Sequence, residues 1–106
     1  MNSKKLVNIA VDALEEIKAM DIKVLDVGKL TSLFDYVIIA SAGSSRQTKA
    51  LAENVREKVK KAGGVILCFE GEQTGEWLLV DLGEVIVHIM QPEARKYYNL
   101  EGLWTE

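Results

Sequence analysis

The sequence predicts an α+β (α/β) fold: a mixed sheet of about five strands with helices mainly on one face. Three observations carry that expectation. Residues 3–20 and 45–62 place their apolar side chains at helical spacing, whereas the segments between and after them are short, β-branched runs. A strand, the helix near 45–62 and a further strand make a crossover unit, expected right-handed. Residues 76–90 then read EWLLVDL, Gly83 and EVIVHIM, two apolar runs divided by one compact turn, the pattern of an antiparallel β-hairpin.

In the first helix Leu6, Ala10, Ala13, Leu14 and Ile17 form the apolar stripe, with Ser3 as the expected N-cap. Val7, Ile9 and Val11 are apolar as well, which points to burial on more than one side. Residues 22–27, IKVLDV, alternate as a strand that Gly28 ends. Asp35 leads into YVIIA, a nearly continuous apolar run of the kind a central strand shows when both its faces are covered. SAGSS breaks that run and starts the second helix, where Ser44 and Gln47 have capping-box spacing. Leu51, Ala52, Val55, Val59 and Ala62 carry its apolar face, and Gly63-Gly64 supplies the left-handed stop. Residues 65–70, VILCFE, form the third strand and GEQTG the loop before the hairpin. Pro92 opens a short helix, PEARKYY, and NLEGLWTE follows. The order is α-β-β-α-β-β-β-α.

The hairpin sets the functional question. With Asp81 and Leu82 in a type I turn and Gly83 left-handed after it, Trp77, Leu79, Val85, Val87 and Ile89 share one face. Leu78, Val80, Ile86 and His88 then share the other, and neither face is polar. Two long helices cover one face of such a sheet and the short third one covers little more. Apolar surface near the hairpin is therefore expected to lack intrachain cover and to seek a partner.

Composition narrows the function classes. The 106 residues suffice for one domain, 1–106, with a single core. A net charge of −3 argues against wrapping nucleic acid by bulk charge. One cysteine, Cys68, and one histidine, His88, exclude an internal disulfide and a clustered Cys/His metal site. No apolar run approaches the roughly 20 residues of a membrane helix. The N-terminus turns acidic within a few residues, unlike a signal peptide, so a soluble, cytoplasmic setting without a membrane partner is expected.

Candidate chemistry is sparse. His88 lies mid-strand between Val87 and Ile89, where a structural or interfacial role outweighs acid–base catalysis. No Gly-x-Ser-x-Gly elbow accompanies it. SAGSSRQ at 41–47 joins a strand to a helix start but lacks the P-loop and Rossmann spacings, and capping explains its residues. Helix two carries Arg46, Lys49, Arg56, Lys58, Lys60 and Lys61 against Glu53 and Glu57. That is a solvated face or, on local charge alone, a minor RNA contact. A lone tryptophan is ordinarily core. Trp77 and Trp104 with Tyr97, Tyr98 and Leu100 near an uncovered hairpin shift the balance toward an interface.

GEQTGEWLLVDLGEVIVHIM followed by EARKYYNLEGLW closely resembles the ribosomal silencing factor (Iojap-like) family, and DYVIIASAGSSRQTKALAENV resembles that family's first half. The positions that carry the resemblance include Trp77, Asp81, Gly83, His88, Arg95, Tyr98, Leu100, Glu101 and Trp104. The resemblance implies a nucleotidyltransferase-like core. It also implies a non-enzymatic translation repressor that binds protein fourteen of the large ribosomal subunit and blocks joining of the small subunit when nutrients are scarce. Nucleotidyl transfer needs a Gly-Ser helix start and paired acids on a following strand. Gly43-Ser44 is present, but VILCFE offers only Glu70, so the catalytic acids are missing.

The expected contact set is Trp77, Leu78 and His88 from the hairpin with Arg95, Tyr98, Leu100 and Glu101 from the tail. The turn register decides which hairpin face points outward, and hence whether Trp77 or Leu78 contributes. No cofactor or metal is expected. The competing readings are a nucleotidyltransferase-like enzyme and a self-associating module, with a homodimer in the free state.

Overall fold

In the computed structural model, residues 2–71 and 73–104 are described; Met1, Glu72 of the GEQTG loop, and Thr105-Glu106 of the tail lie outside them. Helix α1 spans Ser3–Glu16, and Asn2, not Ser3, caps it, its side chain accepting from the Lys5 amide at 2.7 Å. The helix stops short of residue 20 because Lys18 turns left-handed at φ 63°. The Lys18 amide donates to Glu15 and the Ala19 amide to Leu14, each at 3.0 Å, which closes a Schellman motif without a glycine. Strand β1 (Met20–Asp26) begins at once and pairs antiparallel with β2 (Tyr36–Ser41), with an irregularity between Met20 and Lys23.

Helix α2 runs Ser45–Lys61 with Ser44 as N-cap, the hydroxyl accepting from the Gln47 amide at 3.2 Å. The Gln47 side chain reaches back to the Gly43 amide, one residue beyond the expected one, and also donates to the carbonyls of Ile17 and Lys18. It thus ties the start of α2 to the end of α1. Gly63 at φ 90° and Gly64 end α2 through bonds to Lys60 and Val59. Strand β3 is short, Cys68–Glu70, with Val65 and Leu67 left exposed before it. Strands β4 (Trp77–Asp81) and β5 (Val85–Met90) form the hairpin, followed by α3 (Pro92–Tyr98) and a last turn, α4 (Leu100–Leu103).

The sheet order is β1-β2-β5-β4-β3, with β2 and β5 parallel and the other pairs antiparallel. The mixed five-stranded sheet of an α+β fold is therefore present, with both long helices on one face. Leu6, Ala10 and Leu14 of α1 and Leu51, Ala52, Val55 and Val59 of α2 pack there on Ile38, Ala40, Leu78, Val80, Val85, Val87 and Ile89. The other face holds a smaller cluster, Val27, Val37, Ile39, Met90 and Leu100, with Phe34 and Trp104 packed against it.

The hairpin register corrects the expected faces. Trp77 opposes Met90, Leu78 opposes Ile89 and Leu79 opposes His88. The Leu82 amide bonds the Val85 carbonyl at 2.9 Å, so the turn proper is Gly83-Glu84, with Gly83 at φ 92°. Glycine at the first central position is the type II′ pattern, and the central pair falls two residues later than the Asp81-Leu82 of the expected type I turn. A one-residue slip moves a whole strand's side chains to the opposite face. Leu78 and Val80 hence join Val85, Val87 and Ile89 beneath the helices, while Trp77 and Leu79 join Ile86, His88 and Met90 on the far side.

Candidate interaction surface

The far side of the sheet is covered at one end only. Over β1 and β2, Leu100 packs on buried Val37 and Ile39, and the Trp104 ring meets Phe34 edge-on at 5.3 Å. Over β5, β4 and β3, Ile86, His88, Leu79, Trp77 and Cys68 remain half-buried, and Glu70 is exposed. α3 borders this open end, its Tyr98 53% and Tyr97 83% exposed.

Three rings organise the surface. The Trp77 and Tyr98 rings lie 4.8 Å apart and the Tyr97 and Tyr98 rings 5.1 Å apart. Trp77 Nε1–H donates to His88 Nδ1 at 3.0 Å. An accepting Nδ1 requires an imidazole unprotonated at that atom, and burial pushes His88 down to about 4. At neutral pH His88 is therefore an uncharged acceptor that fixes the indole. Cys68 is a poor nucleophile, because desolvation and the Glu70 and Asp81 carboxylates raise its thiol above the ordinary value.

The structure separates the expected contact residues into two groups. Trp77, His88 and Tyr98 come together on the open surface. Leu78 does not; it is fully buried in the helix-side core, a consequence of the register. Leu100 is also a core residue, only 9% exposed. Arg95 turns inward: its Nε donates to Glu101 at 2.8 Å, and its Nη1 donates to the Asp21 carbonyl at 2.7 Å and Ser41 Oγ at 2.8 Å. Hydrogen bonding to Arg95 holds the Glu101 carboxyl below its usual range, with Lys23 adding at 3.4 Å. Arg95 and Glu101 thus anchor α3 and α4 to β1 and β2 and do not form a free contact patch. Leu79 and Ile86 were missed as outward residues; the Leu82-Gly83-Glu84-Val85 turn pattern was the signal that places them there.

Among the described residues, Gly43-Ser44 and Glu70 are not brought together. Ser44 is spent on the α2 cap. Glu70 sits on β3, three strand spacings from β2, roughly 14 Å. Among the described residues no group of three His, Cys, Asp or Glu side chains is placed to hold a metal ion, and no helix is long and apolar enough to cross a membrane.

Against known proteins, the family model described as "Ribosomal silencing factor during starvation" matches residues 1–106. The chain belongs to the ribosomal silencing factor family. It is 50% identical over 104 residues to the ribosomal silencing factor of Chromobacterium violaceum, covering 98% of this chain and 85% of that one. A crystal structure of a protein from the same organism superposes with a TM-score of 0.96 at 50% identity, covering 98% of this chain and 87% of that one. A more distant relative is the mouse protein named "Mitochondrial assembly of ribosomal large subunit protein 1", 32% identical over 102 residues, which are 93% of this chain and 45% of that protein.

Proposed function

We propose that this ribosomal silencing factor binds the large ribosomal subunit through its protein fourteen, using the open end of the sheet, and thereby blocks joining of the small subunit. Translation falls by steric occlusion, without a bond being made or broken, when nutrients are scarce. The observation that carries the reading is the half-buried strip of Trp77, Leu79, Ile86 and His88, which no helix caps, with exposed Tyr98 at its border. Solvent-facing aromatic and apolar side chains on a rigid sheet are what a protein partner buries, and Trp and Tyr dominate binding energy in such patches. The family membership and the mouse relative, named for large-subunit assembly, support a ribosomal partner. The protein acts in the cytoplasm in this reading. In the free state the same strip is open to a second copy, which light scattering reads directly.

The test is sedimentation of mixed subunits through a sucrose gradient. Added protein is expected to shift joined ribosomes toward free subunits. Trp77→Ala, which removes the central ring, is expected to weaken large-subunit binding by about 2–4 kcal/mol, or thirty- to a thousandfold. Unchanged joining at saturating wild-type protein overturns the proposal.

A further inference from the structure

Charge is divided unevenly along this chain. Residues 65–106 hold eight acidic and two basic side chains, a net of −6, whereas residues 1–64 hold eight acidic and eleven basic, a net of +3. The acidic part is the part that builds the open surface. Glu70 closes one end of the strip, Glu76 precedes β4, and Glu93 stands in the first turn of α3. Of the two basic residues, Arg95 is ion-paired inside the fold, and Lys96 lines a different depression beside Asp21 and Glu101.

Next to the Trp77–Tyr98 pair lies a groove of about 340 Å³, lined by Glu76, Gln91, Glu93, Ala94, Tyr97 and Tyr98. Both carboxylates are exposed, and among the described residues neither makes an ion pair within the chain. Tyr97 presents its ring almost fully to solvent at the same place. An aromatic wall with two unpaired carboxylates suits one kind of side chain: a cation with an apolar stem, held by ring stacking and charge together.

We infer that the open surface is built for a basic protein face, and that the Glu76–Glu93–Tyr97–Tyr98 groove takes an arginine or lysine side chain from it. This rests on the docking role proposed above and names the chemistry of the partner. The apolar strip buries the centre of the partner's patch, while the acidic margin pairs with its cations and steers the approach. Phosphates are repelled from the same margin, so nucleic acid is not the occupant. The basic side of the molecule, α2, faces away across the sheet.

Two measurements test this separately from the docking role itself. In the first, the free protein is titrated with N-acetyl-argininamide and followed by NMR. Saturable shifts confined to Glu76, Gln91, Glu93, Ala94, Tyr97 and Tyr98 are expected, and they vanish in the Glu76→Gln, Glu93→Gln double variant. No saturable shift, or shifts that survive the double variant, overturns the groove. In the second, binding to large subunits is measured against salt. Glu76→Lys with Glu93→Lys is expected to weaken wild-type affinity at least tenfold at low salt, with the gap narrowing as salt shortens the screening length to about 3 Å near 1 M. Unchanged affinity in the charge-reversal variant overturns the basic-partner inference while leaving docking through Trp77 standing. If the protein binds no subunit at all, the docking proposal falls and the argininamide titration still decides the groove.

Discussion

The two faces of this sheet carry nearly the same kinds of residue and have opposite fates. On the helix side, Leu78, Val80, Val87 and Ile89 are wholly buried under α1 and α2. On the far side, Leu79, Ile86 and Trp77 belong to the same two strands, one residue out of step, and stay half-buried. What separates them is not hydrophobicity but the supply of covering elements. α3 and α4 are pinned by Arg95 and Glu101 over β1, β2 and the Met90 end of β5, and reach β4 only at Trp77, where Tyr98 stacks. The core side answers to stability and, in the proposed function, the open side to binding; each substitution below is a way to break that division.

The largest effect is expected at Leu78. Leu78→Ala leaves a cavity beneath α2 and is expected to cost about 2–5 kcal/mol. Urea denaturation checks it: the midpoint falls while the slope stays constant.

Second is the pH dependence of the half-buried histidine on the open side. His88 takes a proton near 6.5 when unfolded and only near 4 when folded. Between those values the unfolded chain binds more protons, so stability is complete above pH 6.5 and is lost as pH falls toward 4. The loss is about 3 kcal/mol. His88→Gln keeps an acceptor for the Trp77 indole without titrating, and its stability is expected to be flatter across that window. Equal pH slopes in the two proteins would remove His88 from the account.

Third is the anchor that confines the tail. Glu101→Leu leaves the Arg95 guanidinium, 7% exposed, without its best partner, and is expected to cost about 3 kcal/mol. A cost under about 0.5 kcal/mol would show that Asp21 and Ser41 suffice.

Much of this division was legible in the residues. Helical spacing located both long helices, Ser44 and Gly63-Gly64 bounded the second, and the excess of apolar strand over helical cover pointed to an open surface. Two misreadings have a common cause: backbone turns whose residues carry no strong preference. Lys18 ends α1 in a conformation usually given to glycine, so the first helix was drawn four residues too long. At the hairpin, Gly83 fits two turn types, and the choice between them exchanges the faces of β4. That exchange put Leu78, a core residue, among the expected contacts, whereas Leu79 is the one that faces the open side. Arg95, Leu100 and Glu101 were misplaced for another reason. Whether a tail folds inward depends on partners such as Asp21 and Ser41, 74 and 54 residues away in the chain, which local patterns do not register.

The smallest expected effect on stability is the sharpest test of the comparison. Leu79 is neighbour to Leu78 in sequence and identical to it in chemistry, but it points to the open side opposite His88. Leu79→Ser removes little intrachain packing, so its stability cost is expected to stay near or below about 1 kcal/mol. If the open side is where a partner docks, the same substitution weakens large-subunit binding severalfold, because the partner buries what the chain leaves uncovered. Leu78→Ala should do the reverse, lowering stability while leaving the affinity of the folded fraction unchanged. A Leu79 variant as destabilised as the Leu78 variant would mean that the far side is sealed in solution. An affinity untouched by Leu79→Ser would move the docking surface elsewhere on the molecule.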